Sequence, residues 1–365
     1  MRIAGREVAW TSVAPPLAIV VLAVSWGREL PAVVAAVVGV VLASAVLAAV
    51  HHAEMVALRV GEPLGSLVLA VAVTVIEVGL ILTLTASGGP STASLARDTV
   101  FAAVMITCNG ILGLSLFIGA VRYRLAVFNP EGSGAALGTV ATLATLCLVL
   151  PTFTTARAGP QFSPGQLTFA ALASLLLYGA FVSTQTVRHR DFFLPVAADG
   201  SVLEGEEAHA APPGPRAARI SLALLVVALV GVVGLAKVLS PTIESGVAGA
   251  GLPPSFVGVV IALLVLLPET LAAANAAGRN RIQVSLNLAL GSAMASIGLT
   301  IPAVAVASIW LEGPLVLGLG ATQMVLLALT VVVGALTLVP GRATRLQGAV
   351  HLVLLAAFVF LAANP

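Results

Sequence analysis

Long apolar runs separated by short polar breaks dominate this chain. Pro15 and Pro16 interrupt the first run, which is therefore the weakest candidate for a helix. A membrane-spanning helix needs about 20 mostly apolar residues. Because backbone groups in lipid must bond internally, and the runs lack the alternation of barrel strands, they predict helices. We expect an all-α polytopic membrane protein with eleven transmembrane helices, at 8–26, 30–50, 63–86, 98–121, 135–156, 165–187, 218–240, 254–277, 282–310, 314–338 and 346–363.

The composition supports this class. Hydrophobic residues make up 59% of the 365 positions and charged residues only 9%, whereas a soluble protein carries about 25% charged residues. The formal net charge of +2 gives no basis for nucleic-acid binding. Cys108 and Cys147 lie within apolar runs, so we interpret them as packing residues without a disulfide or metal. The chain start lacks a clear cleavage site, and we expect no cleavable signal.

The basic residues predict an orientation in the membrane. With a cytoplasmic N-terminus and eleven crossings, thirteen of the seventeen basic residues fall in cytoplasmic segments. The other four fall outside, namely Arg28, Arg97, Arg157 and Lys237. This bias follows the positive-inside rule. We therefore expect a bacterial inner-membrane protein with an extracytoplasmic C-terminus.

Two of the fifteen acidic residues, Glu77 and Glu269, lie deep inside apolar runs. A carboxylate at the bilayer centre costs about 2.5–3.5 kcal/mol, and such residues face a bundle interior or a water cavity. Loss of water favours the protonated carboxyl, whereas a bound cation favours the ionised form. One such site holds either protons or a cation, which is the physical basis of antiport. The structural alternative is a protonated glutamate that hydrogen-bonds a neighbouring helix.

The two glutamates also mark an internal repeat. A shift of 192 positions aligns Glu77 with Glu269, and a shift of 183 in the following runs pairs Asn109 with Ser292. The glutamates lie five runs apart, and an odd number of helices requires inverted repeats, as in many secondary transporters. We predict a leading helix, a first five-helix repeat, an acidic cytoplasmic linker and a second five-helix repeat, at 1–29, 30–188, 189–217 and 218–365.

Oxygen-bearing groups near these glutamates suit a hard cation. Glu77 and Glu269 are the predicted metal ligands, and Pro268 leaves a backbone carbonyl free as a further ligand. Glycines, Gly110 and Gly291, permit close helix approach. No His or Cys pair has the spacing of a Zn or Cu site there. The complete predicted cation- and proton-binding set is Glu77, Glu269, Asn109, Ser292, Thr74 and Gly291, with no catalytic residue and no cofactor.

Two segments resemble signature regions of Ca²⁺/H⁺ exchangers in the Ca²⁺:cation antiporter superfamily. The first, 52–77, begins His-Ala-Glu-Met-Val-Ala-Leu-Arg-Val-Gly-Glu-Pro-Leu-Gly-Ser-Leu and ends Val-Ile-Glu. The second, 268–302, contains Pro-Glu-Thr-Leu-Ala-Ala-Ala and Leu-Ala-Leu-Gly-Ser-Ala. The similarity covers nearly the whole chain and is closest to bacterial ChaA-type calcium/proton antiporters. It implies eleven helices, essential acids at Glu77 and Glu269, and Ca²⁺ with Na⁺ or K⁺ as exchanged ions.

The stretch before Glu77 departs from the wider exchanger family. That family has Gly-Asn-Ala there, whereas this chain has Thr74-Val-Ile, so one amide ligand is missing. We predict a secondary antiporter that exports Ca²⁺, with Na⁺ or K⁺ also open, in exchange for protons by alternating access. The alternative is a Na⁺(K⁺)/H⁺ antiporter with Ca²⁺ as a minor substrate. Its partners would be inorganic cations, protons and the lipid bilayer.

Two other polar clusters each leave two interpretations open. His52, Glu54 and Glu62 lie at the cytoplasmic end of the second and third runs. They are either a vestibule that gathers cations or senses pH, or ordinary interface residues. The acidic linker is either a cation sensor or a solvated connection. Asp98 is interpreted as a charge at a helix terminus.

Two rival function classes fit less well. An intramembrane enzyme would use Glu77 and Glu269 as an acid/base pair, but nothing resembles a nucleotide or lipid-headgroup site, and no His-Glu-x-x-His motif occurs. A passive channel needs no matched pair of carboxylates that binds its ion tightly, and its flux would continue without a proton gradient.

Overall fold

The protein is almost entirely helical in the computed structural model, which describes residues 2–3, 6–7, 9–61, 64–85, 93–196, 213–310 and 313–365. We number the helices α1 (Trp10–Ser25), α2 (Ala32–Val60), α3 (Leu64–Thr85), α4 (Leu95–Tyr123), α5 (Pro130–Phe153), α6 (Pro164–Arg188), α7 (Pro215–Gly249), α8 (Phe256–Val265), α9 (Leu267–Gly278), α10 (Ile282–Ala307), α11 (Ala321–Leu338) and α12 (Arg345–Ala363). Four two-residue strands accompany them, β1 (Arg2–Ile3), β2 (Arg6–Glu7), β3 (Ala126–Val127) and β4 (Arg342–Ala343).

The predicted membrane class is confirmed. Among the described residues, nine helices are long and apolar enough to cross a membrane. The bent pair α8 and α9 would make a tenth span, and α1 is a shorter apolar helix. Each of the eleven predicted runs therefore contains one helix or, at 254–277, a pair of half-helices.

Three helix boundaries differ clearly from the predicted runs. The helix α2 continues ten residues past position 50 to Val60, because His52 is buried against α1 and the following residues favour helix. Pro241 lies inside α7 without ending it. The predicted start of α11 at 314 is wrong, because residues before Ala321 bond to another loop, Gly318 N–H to the carbonyl of Pro160.

Interhelical loops gather on two faces of the bundle. On one face, β3 pairs with β4, and Tyr123 Oη donates to the carbonyl of Gly278 at 3.0 Å. We call this the arginine-rich face, because most of the arginines lie in or beside its loops: Arg59, Arg122, Arg124, Arg188, Arg190, Arg216, Arg219, Arg279, Arg281, Arg342 and Arg345. On the opposite face, Val316 N–H donates to the carbonyl of Ala93.

Helices α4 and α10 lie at the centre of the bundle. In α4, one turn from Ile106 to Ile111 is π-helical. The first glutamate helix, α3, packs against α10, and the pair α8 and α9 packs against α4. Likewise α6 packs against α10 and α12 packs against α4. Each of these contacts has a counterpart in the other half of the chain, as expected of two equivalent halves. The division into inverted repeats stays a prediction.

Candidate cation site

A cavity of about 630 Å³ contains both predicted glutamates. Its walls come from α3, α6, the pair α8 and α9, and α10. It extends to the arginine-rich face, since Pro195, Arg279 and Arg281 also line it. Most of the lining is apolar, so the few polar groups at its inner end determine what it binds.

Glu77 lies on the uninterrupted helix α3, and its side chain is only 4% exposed. Its Oε1 accepts a hydrogen bond from Ser296 Oγ on α10 at 2.6 Å. Such a short bond to a carboxyl oxygen is typical of a charge-assisted hydrogen bond. It fixes the position of the carboxyl group between two helices.

Glu269 lies at a break in the chain of helices. Helices α8 and α9 meet at an angle of 54° around Leu266, because Pro268 provides no N–H to continue the hydrogen-bond ladder. Glu269 is therefore in the first turn of α9, where the helix dipole favours a negative group. Its Oε2 is buried and has no hydrogen-bond partner within the described part of the chain.

Hydroxyl groups on α10 extend the site along one helix face. Ser292 lines the cavity and Ser296 contacts Glu77. Thr300 lies one turn farther on, and its fully buried hydroxyl makes no hydrogen bond among the described residues. Ser296 and Thr300 were not among the predicted site residues, although their positions four and eight residues after Ser292, on the same helix face, were the available signal.

The structure brings Thr74 and Gly291 to the cavity wall. Thr74 lies three residues before Glu77 on α3 and is 7% exposed. A side chain added at Gly291 would meet nothing within 4 Å. Its predicted role in close helix approach is therefore wrong, and it opens space beside Ser292 instead. Gly110 does approach a neighbour closely, since an added Cβ would lie 3.1 Å from Leu355 Cδ2 on α12.

Asn109 does not line the cavity, contrary to the prediction. Its Nδ2 donates to Thr330 Oγ1 at 2.9 Å, and its Oδ1 lies 3.1 Å from His351 Nδ1. His351 Nε2 lies 3.2 Å from Thr337 Oγ1. All four residues are at most 2% exposed. Asn109 therefore belongs to a separate buried network that joins α4, α11 and α12.

The predicted vestibule is only partly assembled. His52 is 3% exposed, and its Nε2 lies 3.0 Å from the carbonyl oxygen of Thr11 on α1, so it joins two helices and does not face a vestibule. Glu54 is exposed near the end of α2. Glu62 lies outside the described residues. The acidic linker is likewise outside them at positions 197–212.

Asp98 is an ion-paired residue at a helix start. Its Oδ1 lies 2.7 Å from Arg97 Nη2, and its Oδ2 accepts from Ser94 Oγ at 2.8 Å. Cys108 and Cys147 are buried free cysteines. Among the described residues, no group of three or more His, Cys, Asp or Glu side chains is placed so that it could hold a metal ion. Two carboxylates with hydroxyls suit a hard cation as cargo better than a resident transition metal.

Comparison with known proteins agrees with this architecture. The sodium/calcium exchanger protein family matches residues 30–187 and 220–364. The y4hA protein of Sinorhizobium fredii is 46% identical over 98% of this chain and 96% of its own length. The sodium-potassium/proton antiporter ChaA of Escherichia coli is 34% identical over 94% of this chain and 93% of its own.

A solved structure shows the same fold. The H⁺/Ca²⁺ exchanger CAX superposes with a TM-score of 0.71 at 15% identity, over 97% of this chain and 89% of that one. The family match covers most of the chain, and the two relatives span almost its whole length. The chain therefore belongs to the sodium/calcium exchanger family, within the Ca²⁺:cation antiporter superfamily.

Proposed function

We propose that this protein exchanges Ca²⁺, Na⁺ or K⁺ for protons at a site formed by Glu77 and Glu269. The cavity that joins both carboxyl groups to one face supports this proposal most directly. Ser292 and Ser296 add neutral oxygens beside the carboxylates. Such a set binds a hard cation when the carboxyl groups are ionised and releases it when they are protonated.

The exchange follows from competition at one site. Cations enter through the cavity and displace protons from Glu77 and Glu269. The bundle then closes that side and opens the other, where protons displace the cation. Because the two carboxylates repel each other when both are ionised and empty, the occupied states are favoured over the empty charged state. This coupling makes exchange, rather than leakage, the productive cycle.

The cavity faces the cytoplasm in this proposal. The positive-inside rule supports that orientation, because the cavity opens on the arginine-rich face. The two family matches, at 30–187 and 220–364, support the proposed division into two repeats joined by the linker. We therefore propose an inner-membrane antiporter in a conformation open to the cytoplasm.

Everted membrane vesicles loaded with acridine orange test the function. Adding Ca²⁺, Na⁺ or K⁺ should release accumulated protons and restore the dye's fluorescence with the wild-type protein. Glu77→Gln and Glu269→Gln should each abolish the response, because an amide cannot exchange a proton for a cation. Glu131→Gln is the matched control, since this exposed carboxylate begins α5 outside the cavity. Undiminished exchange in either cavity variant would refute the site.

A Na⁺(K⁺)/H⁺ antiporter with Ca²⁺ as a minor substrate is the second candidate. The absence of Asn109 from the cavity lining favours it, because a divalent ion gains more from additional oxygen ligands. The similarity to a protein named as a sodium-potassium/proton antiporter supports it as well. The concentrations of Ca²⁺, Na⁺ and K⁺ that give half-maximal exchange, measured across pH, decide between the two candidates.

A further inference from the structure

The helix α10 carries a third hydroxyl beyond the two that the proposed site uses. Thr300 lies four residues after Ser296, on the same face of the helix, and its side chain is 0% exposed. Its Oγ1 has no hydrogen-bond partner within the described part of the chain. Because α10 begins next to Arg281 on the arginine-rich face, Thr300 lies farther from the cavity mouth than Ser296 does.

Threonines elsewhere in the bundle satisfy their hydroxyls locally. Thr107, Thr270 and Thr330 each donate to the carbonyl four residues earlier, at 2.7, 2.7 and 2.8 Å. Such a bond is common for a threonine within a helix. The equivalent bond of Thr300 would go to the carbonyl of Ser296, and the structure does not contain it. Because an unpaired buried hydroxyl destabilises a fold, an apolar residue of the same shape would be the more stable choice at this position.

Position distinguishes Thr300 from the other unpaired hydroxyls. Thr99 on α4 is equally buried, and its hydroxyl also lacks a partner among the described residues, but it does not line the cavity. Thr300 instead follows Ser296, whose hydroxyl donates to Glu77 Oε1 at 2.6 Å. One helical turn is about 5.4 Å, and helical side chains lean toward the N-terminus of their helix. The side chain of Thr300 therefore leans back toward the turn that contacts Glu77.

We propose that Thr300 is a further ligand for the transported cation, used when the site opens to the face opposite the cavity. This inference rests on the proposed function. A cation that leaves Glu77 toward that face passes the level of Thr300, where a hydroxyl oxygen is a suitable ligand for a hard cation. The route is closed at this level in the present conformation, since Ile297, Ile301 and Val304 are at most 4% exposed. The hydroxyl is unpaired in this state and gains a partner during release.

Half-saturating cation concentrations measured from each side of the membrane test this inference. Uptake of radioactive Ca²⁺ or Na⁺ is followed in acid-loaded vesicles, either right-side-out, so that the cation approaches from the extracytoplasmic side, or everted, so that it enters the cavity. Thr300→Val keeps the shape of the side chain and removes the hydroxyl. The half-saturating concentration should then rise about tenfold in right-side-out vesicles and less than about twofold in everted ones. Thr300→Ser retains the hydroxyl and should stay close to the wild-type value.

Thr99→Val is the matched control, because it removes an equally buried hydroxyl outside the cavity lining. Both valine variants should unfold in detergent at an unchanged or higher temperature, since each loses a buried hydroxyl that has no partner in the described residues. Only Thr300→Val should weaken exchange. A residue needed for packing alone would show the opposite combination, a lower unfolding temperature with exchange reduced in proportion.

Three outcomes would overturn this inference. Wild-type values for Thr300→Val from both sides would show that the hydroxyl is not a ligand. An equal rise from both sides would show that it supports the site as a whole and not the state open to the opposite face. Weaker exchange together with a lower unfolding temperature would show that Thr300 acts through packing. None of these results bears on the proposed function, which fails, and this inference with it, if wild-type exchange is absent or if Glu269→Gln still exchanges.

Discussion

The two helices that carry the site glutamates differ in continuity. The first, α3, runs unbroken from Leu64 to Thr85, and its Glu77 is hydrogen-bonded to Ser296. The second is broken at Leu266 into α8 and α9. Glu269 follows the break, with one carboxyl oxygen buried and without a partner in the described residues. The two glutamates occupy matching positions in the aligned halves of the sequence, but their carboxyl groups have different surroundings.

This difference indicates different roles in one exchange cycle. Glu77 has a fixed orientation, because Ser296 and a continuous helix hold it. Glu269 retains an acceptor oxygen without a partner among the described residues, beside a backbone interrupted by Pro268. Within the proposed cycle we therefore expect an incoming cation to contact Glu269 first and Glu77 second.

The largest expected effect concerns the contact that holds α3 against α7. A Cβ added at Gly79 would lie 3.6 Å from Val233 Cβ, within the Cβ–Cβ range of about 3.5–4.5 Å for disulfides. The double variant Gly79→Cys with Val233→Cys should cross-link under mild oxidation. If α3 and α7 must separate to open the opposite face, exchange should then be lost completely.

Reduction of that disulfide should restore exchange. Val233→Cys alone is the control, because oxidant should not change its activity. The buried Cys108 and Cys147 leave few competing thiols. Full exchange in a population shown to be cross-linked would mean that the opposite face opens without movement between α3 and α7.

The second prediction compares the two carboxylates directly. Glu77→Asp shortens a side chain whose hydrogen bond to Ser296 is 2.6 Å. Losing a hydrogen bond to a charged group costs about 1.5–3 kcal/mol, so the half-saturating cation concentration should rise about 10-fold to 100-fold. Glu269→Asp has no such bond to lose through Oε2, so the half-saturating cation concentration should rise only about threefold. Equal losses in acridine-orange titrations would remove the proposed distinction.

Removing the partner hydroxyl should have a smaller effect. Ser296→Ala deletes the donor to Glu77 and retains the carboxyl group, so we expect about a tenfold weaker apparent cation affinity. Ser174→Ala is a suitable control, because Ser174 is buried on α6 and donates to the carbonyl of Ala171 outside the cavity. An unchanged cation titration in Ser296→Ala would show that the hydroxyl does not support the bound state.

The smallest expected effect concerns the break between α8 and α9. Pro268→Ala restores an N–H, and replacing proline in a helix gains up to about 3 kcal/mol of helix stability. We expect the half-helices to straighten, so that exchange slows about threefold while thermal unfolding in detergent occurs at an equal or higher temperature. A lower unfolding temperature would instead indicate that the break is needed for packing.

Much of this architecture was predictable, because membrane helices can be recognised in a sequence by their length and hydropathy. Glu77 and Glu269 stood out for the same reason, since charged side chains are rare within apolar runs. Thr74, Gly291 and Ser292 were found because they lie near those glutamates along the helices. In each case the decisive interaction is local in sequence or enforced by the surrounding lipid.

The missed features depend on partners far away in the sequence. Asn109 looked like a ligand, but its hydrogen-bond partners Thr330 and His351 lie more than 200 residues later. His52 was interpreted as either a vestibule residue or an ordinary interface residue, yet its partner is the carbonyl of Thr11 on another helix. Neither pairing follows from composition or periodicity, because the packing of the helices determines which side chain or carbonyl lies next to a polar residue.

The buried network around Asn109 has a mechanical consequence for the protein. His351 Nδ1 donates to Asn109 Oδ1, and Asn109 in turn donates to Thr330, whose hydroxyl donates to the carbonyl of Leu326. This continuous chain of donors and acceptors joins α4, α11 and α12 through three side chains that are at most 1% exposed, where a broken hydrogen bond is costly. We therefore expect those three helices to move as one unit. In the proposed cycle, a glutamate-bearing helix would then shift against them without deforming them.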